Sequence, residues 1–245
     1  STAMGYAALK ANTTGANTAM GYVALQVNTT GSVNTVIGRY AGATNTTGSS
    51  NVALGNAALY SNTTASYNTA VGSCALFANT TGTNNTATGV MSLQTSTTGD
   101  CNVASGNQSL RYNTTGSGNT ASGFDALRHN TTANYNTAVG GYALFNNTTG
   151  ANNTGVGYQA LYSNTTVGGN MGMGVCALYS NTTGSSNVAV GSLYTMRYNT
   201  TGSGNTALGM YALALNTTGS NHTASGYMAL CSNTTGTSNV AVGRE

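Results

Sequence analysis

Thirteen copies of Asn-Thr-Thr stand at one phase of a 245-residue chain, and each is an acceptor sequence for an N-linked sugar. The asparagines are Asn12, Asn28, Asn45, Asn62, Asn79, Asn113, Asn130, Asn147, Asn164, Asn181, Asn199, Asn216 and Asn233. A fourteenth copy carries Ser96 in the asparagine slot and keeps Thr97 and Thr98. Further sequons start at Asn84, Asn107, Asn146, Asn152 and Asn221. Two readings of the Asn-Thr-Thr copies are open. A glycan row puts the asparagines outside, one sugar per repeat, and explains how a nearly uncharged chain stays dispersed. A structural ladder demands the opposite: the amides turn into the backbone or core and stack on one another. A second asparagine of the unit (Asn51, Asn68, Asn119) recurs as regularly without being a sequon, which speaks for ladders. The expectation carried forward is the outward row, with sugar on at least some of the thirteen.

Other chemistry is sparse. The acids are Asp100, Asp125 and Glu245, and the histidines are His129 and His222. No paired carboxylates and no Ser-His-Asp set fall within the repeats. His222 replaces an asparagine of the unit, and His129 sits on a variable position. Calcium binding of the repeat-in-toxin kind needs an acid in every unit, and the acids are missing. The cysteines, Cys74, Cys101, Cys176 and Cys231, show no metal-ligand spacing. They read as small apolar substitutes, with bridging between chains the sharper alternative. No catalytic, cofactor-binding or metal residue is expected, and no enzyme activity; glycans are the one covalent group anticipated.

The elements that position these residues follow from a repeat. A glycine recurs at Gly5, Gly21, Gly38, Gly55 and onward to Gly243; twelve of its fourteen intervals are 17 residues, one is 16 and one is 18. The unit reads N-T-T-G-x-x-N-T/V-A-φ-G-x-x-A-L-x-x, where φ is often apolar. Asn62 to Gly89 closely matches Asn130 to Gly157, four units on, as block duplication would leave it. The array fills residues 1–245 as one continuous run of about 14 coils, and the chain starts and stops inside a unit. It reads as an excerpt of a longer fibre, without the atypical capping repeats a solenoid normally has. A strict period excludes an ordinary globular domain.

Each unit offers two short β-type segments, T/V-A-φ-G (Val52 to Gly55) and A-L-x-x-N-T-T (Ala58 to Thr64). Helix is a poor reading, since glycine costs about 1 kcal/mol per interior position. The fold class expected is all-β: a β-solenoid, a parallel β-helix or β-roll, with one 17-residue repeat per coil. Coils stacked at about 4.8 Å set like on like, so the repetition serves register. The expected core per coil is thin: one Leu, the φ residue, a Thr or Val, and some Ala. Polar φ residues (Thr88, Ser105, Ser122, Ser225) thin it further. Several chains sharing an axis would add burial, so the chain itself is the expected partner, as a homo-oligomeric trimer or filament.

The chain has nine charged residues, net charge +3, no proline and no tryptophan. No basic run offers a nucleic-acid surface, and no apolar run reaches the roughly 18 residues of a membrane span. The slots flanking the Leu are rich in Tyr and Arg (Tyr6, Tyr22, Tyr142, Tyr60, Tyr162, Arg111, Arg128). They form either an aromatic and cationic binding stripe or solvated positions open to drift.

The elements "NVALG", "NTAVG" and "NVAVG" resemble the S-V-A-I-G element of trimeric autotransporter adhesin heads, which are left-handed parallel β-rolls of three chains. The wider N-T-T-G-x-x-N-T-A-x-G-x-x-A-L pattern is similar to repeats of phage and large-virus fibre proteins. The resemblance implies an extracellular fibre or adhesin shaft, on a virion or cell surface, with a host-surface or glycan receptor. The 17-residue unit departs from the adhesin head's shorter coil. The rival reading is an ice-binding β-solenoid, by resemblance of its regular threonine rows. Against it, neighbouring threonines point to opposite faces, so one per coil lines the outside.

Overall fold

The computed structural model describes residues 1–244 and divides into two compact units, Ser1–Asn119 and Thr120–Glu245. Each unit is a parallel β-solenoid with one short strand per coil, and the chain makes about 14 turns. The first unit holds β1 (Thr2–Met4), β2 (Thr18–Met20), β3 (Thr35–Ile37), β4 (Val52–Leu54), β5 (Thr69–Val71), β6 (Thr86–Thr88) and β7 (Val103–Ser105). The second holds β8 (Thr120–Ser122), β9 (Thr137–Val139), β10 (Thr154–Val156), β11 (Met171–Val175), β12 (Val188–Leu193), β13 (Thr206–Leu208), β14 (Thr223–Ser225) and β15 (Val240–Val242). Neighbouring strands pair in parallel at matched repeat positions. Val52, Ala53 and Leu54 face Thr69, Ala70 and Val71, and Thr206, Ala207 and Leu208 face Thr223, Ala224 and Ser225. The 18-residue interval is absorbed where β11 and β12 lengthen and the register slips after Met173.

Only the first of the two expected β segments is a strand. Ala58 to Thr64 runs as turns and bends, because two positions around its start hold positive φ: Ala57, just before it, at 53° and Leu59, within it, at 54°. The same left-handed leucine recurs, for example, at Leu25, Leu76, Leu127 and Leu161. A non-glycine residue there costs about 1–2 kcal/mol. What it gains is contact with both neighbouring coils. The Ala57 amide donates to the Arg39 carbonyl of the coil before, while those of Leu59 and Ser61 donate to Ala75 and Phe77 of the coil after. The Leu59 side chain is meanwhile driven into the core.

The core contains the leucine as expected, but not the φ residue. The middle residue of each strand points inward: Ala53, Ala70, Ala87 and Ala121 are fully buried, and Leu54 and Val71 lie outside, part-exposed. The reason is width. One large side chain per coil fills the interior, so beside a leucine the inward strand position admits only small residues; where Gly42 stands in the leucine slot, Val36 takes the inward position and is buried. A Cβ on Gly155 would already lie 3.3 Å from the Leu144 side chain. The polar φ residues Thr88, Ser105 and Ser122 therefore cost the core nothing.

The recurrent glycine is required twice over. Gly55 has φ of 137°, and a Cβ there would lie 2.6 Å from the carbonyl oxygen of Gly72 in the next coil. Gly55→Ala is expected to lose more than about 2 kcal/mol of stability. Leu54→Ser, on the outer row, should stay within about 1 kcal/mol of the parent. Thermal unfolding followed by circular dichroism distinguishes the two.

Candidate functional site

The most ordered chemistry in the molecule is a pair of asparagine ladders. In the Asn-Thr-Thr turn, Nδ2 of Asn62 donates to Oδ1 of Asn45 one coil below, at 2.6 Å, and to the Ala65 carbonyl of its own turn, at 3.0 Å. Asn79 repeats this with Asn62 and Gly82 at 3.0 and 2.9 Å, and Asn216 with Asn199 and Gly219 at 2.8 and 2.9 Å. The second asparagine bonds differently. Oδ1 of Asn51 accepts the Asn68 backbone amide at 3.0 Å, and Nδ2 of Asn51 donates to the Ala65 carbonyl at 2.9 Å. One carbonyl, that of Ala65, thus receives a side chain from each ladder. Gly82 does the same for Asn79 and Asn68.

This geometry corrects the expectation that the Asn-Thr-Thr asparagines face outward. Asn28, Asn45, Asn62, Asn79, Asn113, Asn130, Asn147, Asn164, Asn181, Asn199 and Asn216 are buried, and Asn12 and Asn233 are half-buried. Where both hydrogens of Nδ2 are donated, as at Asn62, a sugar on that nitrogen would remove one donor and collide with the coil. The outward side of the turn belongs to threonine. The first threonine hydroxyl joins the stack, as when Thr46 Oγ1 donates to the Thr63 carbonyl at 2.9 Å. The second (Thr47, Thr64, Thr81, Thr149, Thr183) is exposed.

The remaining candidates are absorbed into the same stacking. Asp100 occupies a serine slot, where its Oδ1 accepts the Thr83 amide at 2.6 Å and the Thr83 hydroxyl at 3.0 Å. Asp125 is buried and pairs with Arg128 at 3.3 Å. His129 stacks edge-on against Phe145 at 4.8 Å. Burial, and then Arg128, holds its imidazole below the usual range, while Asp125 pulls the other way. A folded value below the unfolded one favours the neutral ring. Its contribution to stability is present above about pH 6.5 and is lost as pH falls through the folded value. The cysteines are unpaired thiols; Cys176 is buried, and burial pushes its thiol up. Among the described residues no three His, Cys, Asp or Glu side chains converge as metal ligands, and no helix is long and apolar enough to cross a membrane. A cavity of about 540 Å³ is lined by Met228, Leu230, Cys231, Ser232, Asn233 and Ala241 and offers no acid–base pair.

The aromatic slots stack from coil to coil. Tyr60 lies parallel to Phe77 at 5.1 Å, and Phe145, Tyr162 and Tyr179 follow one another at 5.3 and 5.1 Å. Arg197 closes that run over the Tyr179 ring at 5.7 Å. These rings turn much of their faces to each other, which makes them a lateral brace as much as a surface. Compared with protein families, curated proteins and solved structures, the chain matches none.

The ladder has one internal test. Ser96 stands in an asparagine slot, and there Asn79 Oδ1 and Ser96 Oγ are buried without a partner. Ser96→Asn supplies a donor to Asn79 and a second donor to the Gly99 carbonyl. It should stabilise the protein by about 1 kcal/mol, read by chemical denaturation. Peptide mass spectrometry of protein from its native source should recover Asn62 and Asn181 unmodified.

Proposed function

We propose that the chain is a shaft segment of a structural fibre and that it assembles with further copies of itself. The observation that carries this reading is the double ladder: asparagine side chains of one coil bond to the coils beside it, so the repeat is built for stacking rather than for turnover. A second feature supports self-association. In each unit the outer row of the strands exposes apolar side chains, Met4, Ile37 and Val103 in one and Val139, Met173 and Leu208 in the other. Apolar surface of this kind, on a chain with so little charge, favours a partner of the same kind. Resemblance to trimeric adhesin heads and viral fibre repeats suggests three chains, a virion or cell-surface location, and a host-surface or glycan receptor.

One observation favours the ice-binding alternative. The second threonine of the turn is threonine in all fourteen copies. Yet among the described residues no hydrogen bond to another group accounts for the exposed hydroxyls of Thr47, Thr64 or Thr183. At the strand start, by contrast, Thr and Val interchange, as Thr69 and Val52 show. At the turn, then, the hydroxyl is retained and not only the β-branch. Sedimentation decides for the main reading: the folded chain should run as an oligomer, and a stable folded monomer would count decisively against it. Thermal hysteresis in a freezing assay, lost in Thr→Val variants of the row, would favour the alternative.

A further inference from the structure

His222 stands where the second ladder calls for asparagine, and it is 1% exposed. Its backbone amide donates to Asn205 Oδ1 at 3.0 Å, as an asparagine's would. Its ring then takes over the acceptor role, and Nδ1 receives the Asn239 backbone amide at 3.2 Å. That bond belongs to the set holding β15 on β14, together with Thr223 N–H to the Asn239 carbonyl and Gly243 N–H to the Ser225 carbonyl. An asparagine Oδ1 accepts at any ordinary pH. An imidazole nitrogen accepts only while it is unprotonated.

We infer that His222 makes this coil an acid-sensitive latch in a ladder that is otherwise indifferent to pH. With the lone pair on Nδ1 facing Asn239, the ring hydrogen sits on Nε2, 3.1 Å from Asn233 Nδ2. That amide nitrogen already donates to Asn216 Oδ1 at 2.9 Å and reaches the Gly236 carbonyl at 3.4 Å. The neutral ring therefore meets one of its two neighbours well. The imidazolium places a hydrogen on each nitrogen, so that both face donors. The groups around the ring bring no compensating negative charge: Asn205 from the coil below, Asn216 beside it, and Asn233 and Asn239 from above are neutral amides. The titratable side chains of these coils are Tyr211, Tyr227, Cys231 and Arg244. Tyr211 and Tyr227 pair with each other at 6.4 Å, Arg244 lies over Tyr227 at 5.4 Å, and among the described residues none bonds to the imidazole. A buried cation with no anion beside it is costly, and the Asn239 amide then faces a ring hydrogen in place of a lone pair, so the bond opens. The sense follows from the lone pair: the latch is closed while Nδ1 accepts the Asn239 amide and opens once that nitrogen carries a hydrogen.

Hydrogen exchange by mass spectrometry tests this on the intact chain. Exchange of the peptide spanning 237–243 is compared at about pH 7.5 and about pH 5, corrected for intrinsic rates, with a β13 peptide as the internal reference. The parent should lose protection in that peptide by about tenfold or more at the lower pH while β13 keeps it. His222→Asn restores the ladder residue found in the other coils, and it should hold its protection at both values. His129→Asn, which removes the other imidazole, should leave the acid response of 237–243 intact. Unchanged protection in the parent overturns the inference, as does equal loss in His222→Asn or abolition of the response by His129→Asn.

Discussion

One carbonyl per turn, receiving two asparagine side chains, is the interaction on which the rest of the structure depends. At Ala65 it joins the turn's own Asn62 to Asn51 of the coil below, so the shape of a turn and the register between turns are settled by the same atoms. Everything else is fitted around that meeting point. The glycine after each strand permits the close approach of successive coils. The left-handed leucine is tolerated because its amide is received by the next coil. Each asparagine contributes net hydrogen-bond energies of about 1 kcal/mol apiece, comparable to the strain of one left-handed residue, so the fold is held by repetition rather than by any single coil. A core of one leucine and small alanines is sufficient under those conditions.

The period, the parallel stacking and the buried leucine were legible in the sequence, because a 17-residue recurrence with a strand-like T/V-A-φ element admits few other arrangements. Which way that element faces was not. Alternation over three residues defines two faces without saying which is inner, and hydrophobicity pointed to Leu54 rather than Ala53. The interior is too narrow for both a leucine and a second large side chain, and width is a property of the assembled coil. The Ala58 to Thr64 segment was misread for a related reason: nothing in a leucine announces positive φ, since its conformation is imposed by the bonds of Leu59 to the coil above.

The asparagines posed a different problem. Asn-Thr-Thr is spelled identically whether it is an acceptor for sugar or half of an amide ladder, and only burial separates the two. The signals that favoured the ladder were present: the second asparagine, which is no sequon, and Thr97 and Thr98 persisting beside Ser96. What could not be read was that both asparagines converge on one acceptor, because Asn51 and Ala65 lie fourteen residues apart and meet only when coils stack. The outside of the molecule, by contrast, is where the unit varies most, through Tyr, Arg, Gln and Cys in the slots around the leucine.

Because Asn62 uses both hydrogens of its side-chain nitrogen inside the stack, modification and folding compete for the same atom. A chain that met an asparagine-glycosylating enzyme while still extended would present eighteen acceptor sequences to it, thirteen of them on the Asn-Thr-Thr asparagines. Any sugar installed on a ladder nitrogen would remain as a defect that no later rearrangement could bury. Correct coiling therefore demands an order of events: the ladders close first, or the chain matures where such an enzyme never acts. The choice of cellular route is in this sense a folding condition, set by a nitrogen with no hydrogen to spare.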